Sequence, residues 1–228
     1  MSFVGSLLSI SRQEHEQLWL TAAGWYASGL RQRSRSIGRV GILGDIPDRT
    51  TWAALMTAID AIDAHALTMP TSYRNESDPD DISAEIAAIR GLCDVVVVMG
   101  SRPAAHLDVP VILGPGSHGD VVGTEALLVR HILGGGCLHN LLIDITGLPG
   151  PTQISCSELA KVFDITVATG PDYPLPTLGM AGAHAAMAGR ILSPEESRPA
   201  TATVLNTEQI DPLTLAATWC AVLEFVAR

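Results

Sequence analysis

Lysine is nearly missing from this chain: Lys161 is the only one in 228 residues. Basic residues number 14 against 24 acidic ones, for a formal charge of −10. Such an acidic balance repels phosphate backbones and anionic lipid headgroups, so neither nucleic acid nor membrane is expected as a partner. Arg31, Arg33 and Arg35 form the one basic cluster, and they read as a solvated helix end, where cations suit the helix dipole. Aromatic residues make up only 4%, which leaves the core to aliphatic side chains. The four cysteines, Cys93, Cys137, Cys156 and Cys220, lie far apart and form no CxxC pair. They read as reduced, packed thiols of an intracellular, cytoplasmic protein. Residues 94–100 (DVVVVMG) are far too short to span a bilayer and suit a buried parallel strand. Residues 1–11 hold an apolar patch without a basic n-region or cleavage pattern, so they do not read as a signal peptide.

Hydrophobic residues make up 47% and charged residues 17%, the balance of a globular protein of one large or two small domains. The organising stretch runs from Gly41 to Trp52. Residues 39–43, apolar after Arg39, read as a buried strand, and residues 44–47 carry turn chemistry. From Asp48 the apolar residues Trp52, Leu55, Met56, Ile59 and Ile62 fall at helical spacing. Asp48 is a good N-cap. A strand running into a capped helix aims backbone N–H groups and a positive dipole end at one spot, which suits an anion or substrate. It equally suits a turn that only packs.

Along the chain, Ser11 and Glu14 form a capping box at the head of a helical pattern over residues 13–32. Strands are predicted at 65–69, 94–99 and 109–113, an amphipathic helix at 82–92, and an acidic loop at 71–81. A helix at 124–133 ends at Gly134, Gly135 and Gly136, the best domain boundary. Beyond it, strands at 139–146, 165–169 and 201–205 alternate with helices at 152–163, 178–191 and 210–227, the last capped by Asp211. Strands alternating with helices predict an α/β fold with two parallel-sheet domains, at residues 1–136 and 137–228.

Gly114, Gly116 and Gly119 fit the GxGxxG pattern between a strand and a helix. The pattern is weak here, because it does not follow the first strand and a ribose-binding acid is not evident. No histidine pair sits at ligand spacing with a carboxylate, so no metal is expected. His106 and His118 stand out because both lie in loops at the C-terminal ends of predicted strands, where open α/β sheets bind ligands. Ser117, His118 and Asp120 are the residue types of a hydrolase triad, but near neighbours in sequence cannot adopt its geometry and there is no G-x-S-x-G elbow.

The order of elements resembles the aspartate/ornithine carbamoyltransferase family. Asp48-Arg49-Thr50-Thr51-Trp52, a helix and Ile62-Asp63-Ala64 resemble its S-T-R-T-R, helix, L-G-A. The helix at 82–92 and the following DVVVVMG resemble the elements that end in V-M-R-H. Val109-Pro110-Val111-Ile112-Leu113-Gly114-Pro115-Gly116-Ser117 with Thr124-Glu125-Ala126-Leu127-Leu128 resemble V-P-V-I-N-A-G-D-G-S and H-P-T-Q-A-L-L. Residues 139–171 are similar to the start of the second domain, which is shortened here. The last helix is similar to the one that returns to the first domain. The resemblance implies two carbamoyltransferase-like domains, a homo-oligomer (a trimer) and a site at the subunit interface, with no cofactor.

The departures fall on the site. Without gaps, S-T-R-T-R aligns with Asp48 to Trp52 and only Thr51 is kept in register. The V-M-R-H arginine falls on Gly100, with Arg102 two places on, and the H-P-T-Q histidine falls near Val122, with His118 the nearest histidine. H-C-L-P has no counterpart. An aspartate about 5 Å from a phosphate dianion costs about 6 kcal/mol at an effective dielectric near 20. Each lost charge-assisted hydrogen bond removes roughly 1.5–3 kcal/mol more. Together these exceed the binding energy of a micromolar ligand, about 8 kcal/mol. The expected function is therefore a repurposed enzyme that acts on a small molecule without carbamoyl phosphate, by condensation, cyclisation or elimination in a specialised biosynthetic pathway. A non-catalytic structural or regulatory relative and a residual amino-acid carbamoyltransferase are the alternatives. His118, Arg102 and Arg49 are the candidate catalytic residues. Asp48, Thr50, Thr51, Trp52, His106, Ser117 and Glu125 are the candidate substrate-binding residues.

Overall fold

The computed structural model describes residues 3–4, 9–32, 37–44, 48–68, 89, 91–99, 110–116, 119–136, 138, 141–145, 148–163, 165–168, 191–192, 203–205 and 210–228. Five strands form one parallel sheet: β1 (Phe3–Val4), β2 (Arg39–Leu43), β3 (His65–Thr68), β4 (Val95–Val98) and β5 (Val111–Leu113), in the order β1-β5-β4-β2-β3. A second parallel sheet holds β6 (Leu141–Asp144), β7 (Thr166–Ala168), β8 (Ile191–Leu192) and β9 (Thr203–Leu205), in the order β8-β7-β6-β9. The α/β class with parallel sheets holds.

Five helices of eight residues or more lie among the described residues: α1 (Arg12–Ala27), α2 (Arg49–Ala61), α3 (Val121–Leu133), α4 (Gly150–Phe163) and α5 (Pro212–Val226). Their starts follow the sequence chemistry. Ser11 and Glu14 close α1 in a reciprocal capping box, Asp48 caps α2, and Asp211 caps α5 with Pro212 in the first turn. Three expectations are corrected. The helix read over residues 13–32 stops at Ala27, because Gly29 and Leu30 take left-handed φ of 60° and 64° and Leu30 N–H donates to the Trp25 carbonyl. The helix read from residue 124 begins at Val121, because Asp120 is already its cap. Ile191, read as the end of a helix, lies in β8. The expected loop at 71–81, most of the helix at 82–92 and that at 178–190 lie outside the described residues.

Leu43, Val98 and Leu113 end their strands side by side. Met99 N–H donates to the Leu43 carbonyl at 2.7 Å and Gly114 N–H to the Val98 carbonyl at 2.8 Å. Gly44 has φ of 100°, and a Cβ there would stand 2.0 Å from the Met99 carbonyl oxygen, so only glycine fits. β2 is followed by β3 on one side of it while β4 lies on the other, so strand order reverses between β2 and β4. A crevice at the C-terminal ends of two such strands is where open α/β sheets receive ligands.

The core is aliphatic with a few indoles. α5 is buried almost all round, with Trp219, Cys220, Val222 and Leu223 at 0% exposure, and it packs on α1, α2 and α3. Each fully buried Val or Leu there contributes about 1.5–3 kcal/mol relative to an exposed one. The opposite face of the first sheet carries a smaller cluster of Leu43, Ile89, Cys93 and Val96. No helix of the described residues is long and apolar enough to cross a membrane.

Candidate functional site

Two helices start from loops that leave the C-terminal edge of the first sheet, and each begins with an aspartate. At α2, Thr51 N–H donates to Asp48 Oδ1 at 2.8 Å and Thr51 Oγ1 donates to Asp48 Oδ2 at 2.7 Å. Both carboxylate oxygens are thus bound by their own helix. The spot that an incoming anion would use is occupied by a carboxylate. Arg49 and Thr50 are exposed and Thr51 is half-buried. Trp52 is half-buried and packs against the main core, so its ring is part wall and part core.

At α3, Gly123 N–H donates to Asp120 Oδ1 at 2.8 Å and Thr152 Oγ1 donates to Asp120 Oδ2 at 3.1 Å. Asp120 N–H donates in turn to Ser155 Oγ at 2.8 Å. Thr152 and Ser155 belong to α4, so this one residue ties the edge of the first sheet to the first helix after β6. Burial pushes the Asp120 carboxyl above the usual range. The Gly123 and Thr152 bonds oppose that rise, and the Asp48 charge adds to it. Sequence reading did not single out Asp120 as a site residue. The signal was present, as an aspartate directly before the apolar helical run, but the helix was started three residues too late.

The glycine-rich segment has a structural role in this junction. Gly116 and Gly119 exchange two backbone hydrogen bonds, at 3.0 and 3.1 Å, and so close a tight turn. Gly119 has φ of 123°, and a Cβ there would meet Ser155 Oγ at 2.6 Å. Glycine at 119 therefore lets α4 approach the start of α3.

Glu125 lies in the interior. It is 0% exposed, with Oε1 bonded to His15 Nδ1 at 2.5 Å and Oε2 accepting from Trp19 Nε1. One turn beyond the α3 cap, its side chain turns towards α1, and a substrate at the sheet edge would not reach it without rearrangement. Of the other expected site residues, Asp48, Arg49, Thr50, Thr51 and Trp52 are brought together at the start of α2. Arg102, His106, Ser117 and His118 lie outside the described residues. An open groove of about 330 Å³, lined by Gln13, Glu14, Gln17, Phe225 and Arg228, lies on α1 and the end of α5. Among the described residues no group of three or more His, Cys, Asp or Glu is placed to hold a metal ion.

The architecture matches solved carbamoyltransferases. The ornithine carbamoyltransferase of Burkholderia thailandensis E264 superposes with a TM-score of 0.69 at 14% identity, over 84% of this chain and 70% of that one. The enzyme of the same name from Pyrococcus furiosus gives 0.65 at 17%, over 84% and 66%. Aspartate transcarbamoylase from Trypanosoma cruzi, in complex with carbamoyl phosphate and aspartate, gives 0.74 at 12%, over 99% and 96%. No protein-family model and no curated protein matches the sequence. The chain has the carbamoyltransferase fold, and the resemblance read from its sequence holds at the level of architecture.

Proposed function

We propose that this chain is a carbamoyltransferase-fold enzyme that acts on a small, weakly anionic or cationic molecule without using carbamoyl phosphate. The observation that carries this reading is the pair of acidic caps: Asp48 and Asp120 close the two helix N-termini that open on one sheet edge. A phosphate dianion there would meet one carboxylate bonded to its own helix and a second that already feels the first. The Trypanosoma cruzi protein of this fold binds carbamoyl phosphate, so the fold permits that ligand and the side chains of this chain oppose it.

The remaining chemistry suits condensation, cyclisation or elimination, as part of a specialised biosynthesis. Arg49, Arg102 and His118 would polarise the substrate or move protons, His106 and Ser117 would help to bind it, and Trp52 would supply an apolar wall. The chain would assemble as a homo-oligomer, a trimer by resemblance, in the cytoplasm. A second reading, a non-catalytic structural or regulatory relative, draws support from Trp52, whose packing on the core occupies part of the same edge. A metabolite screen by thermal shift separates the two. A bound ligand at a hundred times its Kd raises stability by about 2.7 kcal/mol. A weakly anionic, neutral or cationic metabolite that stabilises the protein supports the enzyme reading. No stabilisation by any metabolite supports the second, and stabilisation by carbamoyl phosphate alone defeats both.

A further inference from the structure

Among the described residues, the main packing between the elements of the first sheet and those of the second is that of α3 on α4. The chain itself crosses between them twice, from α3 to β6 and from β9 to α5. The far end of α4 joins the common core through Leu159 and Phe163. Its near end, beside the candidate site, is polar. There Asp120 reaches across the seam with both its groups. The carboxylate accepts from the Thr152 hydroxyl at 3.1 Å, and the backbone N–H donates to Ser155 Oγ at 2.8 Å. Thr124, one turn on, donates its hydroxyl to the Thr152 carbonyl at 3.5 Å. Gln153 Nε2 donates to the Leu148 carbonyl at 2.8 Å and ties down the loop that leads into α4. Thr124, Thr152, Gln153 and Ser155 are each no more than 4% exposed.

We propose that Asp120, Thr152 and Ser155 form a clasp that keeps the second sheet seated beside the candidate site with no ligand bound. The two bonds leave one residue from its side chain and its backbone, so they fix the rotation of α4 as well as its distance. They also lie where water is excluded. A slide of α4 by an ångström or two would leave the Asp120 N–H without an acceptor and its carboxylate short of a donor. Buried groups in that condition are costlier than either the seated contact or a fully hydrated one. The seam therefore has a seated state and an open state, with no gradual slide between them. Gly119 sets the closeness of the contact, since a Cβ there would stand 2.6 Å from Ser155 Oγ. Interfaces between domains are free to move unless they are large and apolar, and the clasp restrains the polar end of this one. Every partner in it belongs to this chain, so a molecule arriving at the sheet edge meets α4 already in place.

Thr152→Val and Ser155→Ala, made together, remove both bonds from the α4 side and leave the Asp120 cap on Gly123 intact. The test is native-state hydrogen exchange of the full-length protein in low concentrations of urea, read by mass spectrometry. In wild type, α4 should share the opening of α5, because the clasp joins the two sheets into one unit. In the double variant, the amides of α4, β6 and β7 should exchange at least about tenfold faster, while those of α1, α2 and α5 change by less than about twofold. Equal acceleration throughout the chain would mean a loss of overall stability with the sheets still joined, and no acceleration would mean that the bonds hold nothing. Either result overturns the clasp. The wild-type measurement decides if the variant fails to fold: a shared opening of α4 and α5 supports the clasp, and α4 amides that open far more readily than those of α5 overturn it.

Discussion

Asp48 and Asp120 share the C-terminal edge of the first sheet, where burial raises the proton affinity of Asp120 and the Asp48 charge adds a smaller push in the same direction. Each residue is the N-cap of its own helix, so the acidity of this edge is built from groups that the fold itself needs. A protein that bound a phosphate dianion here would place serine, arginine or bare N–H groups at such positions. This chain holds carboxylates there.

Charge and capping at Asp48 can be separated. Asp48→Asn keeps an acceptor for the Thr51 N–H, so stability should change by no more than a few tenths of a kcal/mol, whereas Asp48→Ala should cost about 1 kcal/mol. Only the charge matters for anions. Binding of inorganic phosphate, followed by calorimetry, should strengthen about tenfold or more in Asp48→Asn, equivalent to about 1.4 kcal/mol. Equal phosphate affinity in wild type and Asp48→Asn would remove Asp48 as the barrier.

Asp120 predicts a pH dependence of known sign. Its folded value lies above that of an unfolded aspartate, mainly through burial. The folded state therefore binds more protons between the two values, and this contribution to stability falls as pH rises from about 3.9 through the raised value. Asp120→Asn should flatten that part of the stability profile while keeping a cap. Chemical unfolding at closely spaced pH values checks it, and an unchanged profile would mean that Asp120 is not raised.

Cys156 and Cys220 are fully buried, and burial pushes both thiols up to about 12. Thiolate is the reactive form, so alkylation of these two at pH 8 should await unfolding. Mass spectrometry after a native pulse of iodoacetamide would reveal the outcome. Rapid native labelling of either one would show that the core opens far more readily than its packing implies.

His118 and Arg102 carry the catalytic part of the proposal. His118→Ala and Arg102→Ala should each lower turnover of the identified substrate at least roughly a hundredfold. Folding stability should move by no more than about 0.5 kcal/mol. Full activity in both variants would place the chemistry elsewhere. Loss of folding instead would favour the non-catalytic reading.

Much of this architecture is legible in the residues. The apolar run at 39–43, the aspartate at 48 and the helical spacing of Leu55, Ile59 and Ile62 specify β2, the cap and α2 with little ambiguity, and all three are found. What escaped were features fixed by tertiary contact. β1 is two residues long and is a strand only because β5 pairs with it. Asp120 joins α3 to α4 through Thr152 and Ser155, residues more than thirty places on, which no local pattern announces. Glu125 sits where the resemblance implies a ligand-facing residue. Its partners His15 and Trp19 come from a helix over a hundred positions earlier, and they draw it inward.

The most direct measurement is a steady-state assay of the purified full-length protein with carbamoyl phosphate and either aspartate or ornithine, followed by phosphate release above the spontaneous rate. The acidic caps predict no turnover with either amino acid, and no saturable binding of carbamoyl phosphate by calorimetry. A rate of about 1 per second or more, typical of enzymes, would contradict the account. It would show that arginines elsewhere in the chain overcome the charges of Asp48 and Asp120.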